Sequence, residues 1–153
     1  MRAEGVVDAE VDRLLNDFAG HATVAREVRQ VAKAFAKAGR YDKAVELHEY
    51  NVETYPGDAN AMWSQADVFE LYIPDGNDLT DEDWAAADAA AAKLLSAFAG
   101  NPKLAKAVRR VGKVYNARGR PDKAMEVWKS GAGRIRGSAR ERRRETVRRL
   151  RDT

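Results

Sequence analysis

Gly39-Arg40-Tyr41-Asp42-Lys43-Ala44-Val45-Glu46 returns as Gly119-Arg120-Pro121-Asp122-Lys123-Ala124-Met125-Glu126, and the offset of 80 between the two holds over a much longer stretch. Upstream of each, Leu14, Leu15, Phe18, Ala19 and Gly20 recur as Leu94, Leu95, Phe98, Ala99 and Gly100. Ala25, Val28, Arg29, Val31 and Lys33 recur in the same way as Ala105, Val108, Arg109, Val111 and Lys113. Residues 8–87 are therefore a first repeat and 88–153 a second, incomplete one, within a single domain spanning 1–153. A period this long marks stacked supersecondary units, each of which buries its apolar face against a neighbour.

Apolar spacing within the repeats is helical. Asp8 is placed to cap a helix carrying Val11, Leu14, Leu15 and Phe18 at three- and four-residue intervals, ended by Gly20. A second helix is expected from about Thr23 to Ala38, and a third from Tyr41 to the breaker Tyr55-Pro56-Gly57. A fourth runs from about Ala59 to Tyr72, before a turn through Pro74, Asp75, Gly76 and Asn77. Thr80 and Asp83 read as a capping box for a fifth helix reaching Phe98. The sixth and seventh are expected from about Lys103 to Arg118 and from Pro121 to Arg134, the seventh ending among Gly131, Gly133 and Gly137. An eighth, strongly basic helix is expected from Ser138 to Leu150.

The composition narrows the classes of function. The 153 residues leave no room for a separate catalytic domain, and the absence of cysteine removes disulfides, thiolate zinc sites and cysteine nucleophiles. No apolar run suggests a signal peptide or a membrane span, so a cytoplasmic setting is expected. The net charge of +3 conceals a segregation: residues 1–100 hold 9 Lys and Arg against 19 Asp and Glu, while 101–153 hold 18 against 5. In a stacked protein, sequence order is also spatial order, so an acidic end and a basic end lie apart and can steer charged partners.

At the glycine-centred hairpins the chain resembles the tetratricopeptide repeats, whose unit is two antiparallel helices in about 34 residues. Val28, Val31, Ala32, Phe35, Gly39, Tyr41, Ala44 and Pro56 fall on the positions that the family gives to large, aliphatic, small, aromatic, turn, aromatic, small and proline residues. Val108, Val111, Gly112, Tyr115, Gly119, Ala124 and Trp128 do so in the second hairpin. Pro121, His48 and Asn51 depart from the pattern, and Trp63, Trp84 and Ala87 mark a degenerate middle unit. The resemblance implies an all-α fold, a right-handed α-solenoid of antiparallel helix hairpins with about eight helices. Small residues at Ala32, Ala44, Gly112 and Ala124 are expected to let helices cross closely.

In that family, ligands bind along a concave groove lined by the first helix of each pair. Here the corresponding residues are cationic. Arg26, Arg29, Lys33 and Lys37 form one stripe, and Lys106, Arg109 and Lys113, extended by Asn116, form another. The middle helix offers Ala61, Ser64 and Val68. The expectation is a non-enzymatic interaction module or scaffold whose basic groove takes an acidic peptide or helix.

Two other partners fit the charge pattern. Arg140, Arg143, Arg144 and Arg148 lie in an arginine-rich tail, and arginine pairs well with phosphate, so a nucleic acid or another polyanion is one alternative. A terminal helix covering its last apolar face with arginine stems is the plainer account. Self-assembly of the acidic end of one copy on the basic end of another is a further alternative.

Convergent catalytic groups are lacking in the sequence. His21 reads as a helix-edge residue and His48 as a packing substitute, and no motif sets a serine or an aspartate beside either. Asp75, Asn77 and Asp81 fall short of a calcium loop because Leu79 stands where a ligand is needed. No enzyme activity, cofactor or metal is expected. Trp63, Trp84 and Trp128 read as core or inter-unit packing.

Overall fold

The computed structural model describes residues 2–21, 23–75 and 78–152, with residues 2–7 as helix backbone alone. Among them lie seven helices and no strand: α1 (Arg2–Asp17), α2 (Val24–Lys37), α3 (Tyr41–Thr54), α4 (Ala59–Leu71), α5 (Asp81–Ala97), α6 (Leu104–Ala117) and α7 (Pro121–Arg151). No described helix is long and apolar enough to cross a membrane. Gly76 and Asn77 of the expected turn lie outside the described residues.

The α2–α3 and α6–α7 hairpins are each turned by a glycine. Gly39 and Gly119 sit at φ 82° and 77°, a left-handed conformation that other residues adopt only at a cost, and Arg40 and Arg120 then donate their backbone N–H to the carbonyls of Phe35 and Tyr115. The Thr80–Asp83 capping box forms in both directions, at 2.9 and 3.2 Å, so α5 starts as its sequence requires.

Neighbouring helices pack in chain order. α2 lies on α3, α3 on α4, α4 on α5 and α6 on α7, while α4 also touches both α2 and α6. The larger core gathers Met62, Phe69, Trp84, Leu94, Leu104, Val111 and Tyr115. Tyr115 packs against Phe69 at 5.0 Å and stacks with Trp84 at 6.2 Å, and its hydroxyl donates to Asp88 at 2.6 Å. A smaller core of Val24, Val28, Ala32 and Leu47 receives Val11 and Leu15 from α1. Trp84 is buried, and Trp63 and Trp128 pack against the larger core, as their expected packing role requires.

Two expectations about helix ends are corrected. α1 begins at Arg2, so Asp8 is an interior helical residue whose carboxylate accepts a bond from Arg40 at 3.2 Å rather than a cap. The seventh and eighth helices are one: α7 runs unbroken for 31 residues. The reason lies in the register of the repeat. Pro56 ends α3 in the first copy, because a proline disfavours helical backbone at the preceding Tyr55. Its counterpart in the second copy is Arg136. Glycines cost a helix only about 1 kcal/mol each relative to alanine, so Gly131, Gly133 and Gly137 weaken α7 without stopping it. Gly131 also has a packing reason, since a Cβ there would stand 2.7 Å from Val108 Cγ1.

Candidate functional site

The basic stripes flank a polar knot centred on Asp67. This residue sits within the run Ala66-Asp67-Val68-Phe69 of α4, where the helix is almost wholly buried, and its side chain is only 9% exposed. An unpaired carboxylate in such a place is costly, so it must be met by positive charge. Arg29 of α2 reaches its Oδ2 through Nε at 2.9 Å, and Arg110 of α6 reaches its Oδ1 through Nη2 at 2.7 Å. Arg110 also grips Glu70 with both Nε and Nη2, at 2.8 and 2.7 Å, and its guanidinium lies 5.9 Å from the Trp63 ring. One carboxylate thus ties α2, α4 and α6 together.

His48 of α3 completes the knot. Its Nδ1 is 3.0 Å from Ser64 Oγ, which also accepts a bond from Asn51 Nδ2 at 3.1 Å; the same amide group donates to the Ala25 carbonyl at 2.8 Å. His48 Nε2 lies 3.8 Å from Asp67 Oδ2, too far for a direct hydrogen bond. Burial pushes the imidazole pKa down to about 4; Asp67 opposes this, while Arg29, Lys33 and Arg110 add to it. The ring is therefore neutral at pH 7. With its proton on Nε2, facing the carboxylate, Nδ1 accepts from the Ser64 hydroxyl. Burial alone would raise the Asp67 pKa, but hydrogen bonds and charge from Arg29 and Arg110 hold it below the ordinary carboxylate value. Burial works against the Arg110 charge, yet Glu70 and Asp67 outweigh it and raise that pKa.

Ser64, His48 and Asp67 are the residue types of a hydrolytic triad, but their placement does not serve that chemistry. Ser64 is fully buried, its hydroxyl meets the histidine through Nδ1, and His48 is 1% exposed. No substrate atom can approach this hydroxyl without displacing α3 or α4. What the arrangement does is fix the spacing of α2, α3, α4 and α6 by directional bonds. His21 is exposed and lies 3.2 Å from Thr23 Oγ1.

The residues of the two stripes divide by environment. Lys33, Lys37, Lys106, Arg109 and Lys113 are exposed and make no ion pair with another described residue, and Asn116 is exposed beside them. Arg26 is exposed and pairs with Glu27 at 3.2 Å. Arg29 differs: its charge is engaged inside the knot. The repeat explains the contrast with Arg109, its counterpart. Arg29 has α4 beside it, whereas among the described residues no carboxylate lies within ion-pair distance of Arg109.

On the middle helix, the expected facing residues Ala61, Ser64 and Val68 are buried, at 0%, 0% and 2% exposure. They pack inward because α4 has neighbours on several sides, and the groups beside the stripes are Asp67, Glu70 and Trp63. Sequence reading missed Arg110. Its signal was indirect, an aspartate placed among apolar residues of a helix, which demands a cation from somewhere else in the chain. In the tail, Arg140, Arg143, Arg144 and Arg148 are all exposed, and Arg149 bridges to Glu145 one turn earlier at 2.6 Å. No protein-family model matches this sequence, and no curated protein matches it either.

Proposed function

We propose that the chain is a right-handed α-solenoid of tetratricopeptide-like hairpins that works as a protein-interaction module, taking an acidic extended segment or helix across the face formed by α2, α4 and α6. The single observation that carries this reading is the pair of exposed cationic rows on α2 and α6, held at fixed spacing by the Arg29–Asp67–Arg110 bridge. Because the helices that carry these lysines are already fixed in place, only their side chains have to be ordered on binding, which reduces the entropic cost. Lys33 and Lys37 would meet one part of the ligand, and Lys106, Arg109 and Lys113 another, with charge accelerating encounter.

The test is direct titration of a fluorescent Asp- and Glu-rich peptide by anisotropy. Reversing Lys33 and Lys113 to Glu together is expected to weaken binding by about tenfold or more and to flatten its salt dependence. Unchanged binding removes this face from the reading. Arg29 is unsuitable for the test, because a glutamate there would face Asp67 and unsettle the fold.

The exposed arginines beyond residue 140 favour a second reading, polyanion binding through Arg140, Arg143, Arg144 and Arg148. A log-log salt slope that becomes shallower as these arginines are removed would support it.

A further inference from the structure

The internal repeat provides a reference for one end of the molecule. Leu94, Phe98 and Val111 are 1%, 3% and 1% exposed, because α4 packs along α5 and touches α6. Their counterparts 80 residues earlier, Leu14, Phe18 and Val31, are 44%, 53% and 37% exposed. The first copy presents the same apolar surface but has no described helix lying across it. A groove of about 360 Å³ runs there between α1 and α2, floored by Val24, Val28 and Leu47. On the other flank of α1 opens a cleft of about 540 Å³ lined by Glu49 and Glu53 and by Asp12 and Glu46, both of which Lys43 bridges. An apolar slot at the acidic end of the chain, with Glu27 at its lip, fits an amphipathic helix whose polar side is basic.

The chain itself displays such a helix. In the distal part of α7, Ile135, Ala139, Val147 and Leu150 share one side with Arg143 among them, Ile135 packs on the core of its own chain, and the nine arginines from Arg134 to Arg151 face only Glu141 and Glu145 in the way of acid. Every residue from 141 to 150 is exposed, with Val147 at 49% and Leu150 at 71%. Folding this segment back onto its own α6 would bring the arginines against Lys106, Arg109 and Lys113, a like-charge contact. The acidic surface that would attract it lies at the opposite end of the fold.

We propose that the chain associates head to tail: the distal part of α7 from one copy occupies the α1–α2 groove of a second. Val147 and Leu150 enter the slot in place of the helix that covers Leu94 and Phe98, and the arginines flank it, near Glu27 at its lip and towards the acidic cleft beyond α1. The contact is heterologous. It leaves one groove and one tail open in every pair, so it can extend beyond two chains. It uses neither of the exposed cationic rows on α2 and α6, and it stands or falls independently of peptide binding there.

The experiment is light scattering on nuclease-treated protein over a concentration series at low and high salt, with the wild type, Phe18→Asp and Val147→Asp. Both positions are exposed, and circular dichroism checks that each variant keeps its helices. The wild type is expected to exceed the 17.0 kDa of one chain as concentration rises, and less so in high salt. Each variant alone should associate about tenfold or more weakly. Mixing the two variants restores one intact groove and one intact tail, so a species of two chains that goes no further is expected. A wild type that stays at 17.0 kDa throughout, or a mixture that forms no two-chain species, overturns the proposal. Excess mass in a sample measured before nuclease treatment that is absent after it also overturns the proposal and assigns the tail to a polyanion.

Discussion

Gly112 of α6 is the space into which the indole of Trp128 fits: a Cβ at this glycine would overlap the Nε1, Cε2 and Cδ1 atoms of the ring. In the first copy, the same two positions of the repeat hold Ala32 and His48. The repeat thus sets a slightly larger residue on one helix opposite a smaller ring on its partner, and in the second hairpin the close crossing expected from Gly112 is made against Trp128. Gly112→Ala is expected to destabilise the protein by about 1–3 kcal/mol through overpacking. Adding Trp128→His should recover part of that loss, with a coupling of about 1 kcal/mol or more in a double-mutant cycle measured by urea unfolding.

Arg29 and Arg109 occupy equivalent places in the repeat but should behave differently. Arg29→Ala leaves the buried Asp67 with one arginine fewer, and Asp67→Ala leaves two cations without their shared carboxylate. Arg29→Ala is expected to cost about 1–3 kcal/mol, because Asp67 keeps Arg110, and Asp67→Ala about 3–5 kcal/mol, the usual result of removing one member of a buried ion pair. Arg109→Ala, on an exposed face, should stay within about 0.5 kcal/mol of wild type. Urea midpoints for the three variants measure the contrast.

The neutral state of His48 makes stability depend on pH. A histidine whose pKa falls from 6.5 to about 4 on folding binds protons more tightly in the unfolded chain. Its contribution is therefore complete above 6.5 and is lost as pH falls from 6.5 towards 4. The expected slope inside that window is about 1.4 kcal/mol per pH unit. Asp67, held below its ordinary value of 3.8, stays ionised across the same window. His48→Gln should flatten the profile between pH 7 and 5 in denaturant titrations, even if it lowers stability overall.

The continuity of α7 rests on the absence of a proline. Arg136→Pro is expected to divide it into two helices near Gly137 and Ser138, which stand where Gly57 and the capping Asp58 stand in the first copy. Circular dichroism should show a loss of a few helical residues. Energy transfer between labels at positions 121 and 150 should report a separation shorter than the roughly 45 Å of the intact helix.

Much of this architecture was legible in the sequence because its signals are local. Apolar residues at three- and four-residue intervals, Gly39 and Gly119 at the turns, and the Thr80–Asp83 box each act within a few residues, so the helices of both copies could be placed in order. The continuity of α7 was misread because Gly131, Gly133 and Gly137 were weighed as a stop, when in the first copy the stop is Pro56. The stripe of basic residues was visible, but its division into exposed and engaged members was not. Arg29 and Asp67 are 38 residues apart and Arg110 and Asp67 are 43, and no periodicity links them. That information lies in the stacking of α2, α4 and α6, which only the folded chain brings into register.

Stacked helical units ordinarily loosen from their ends, each answering only to its immediate neighbour. The carboxylate of Asp67 removes part of that independence. If α2 swings away, Asp67 loses the charge of Arg29 and is left buried on a single arginine, which weakens the seat of α6 as well. Amide protons of α2 and α6 should therefore exchange with deuterium at linked rates, rather than along a gradient from one end to the other, so that the helices joined by this residue open as one cooperative block.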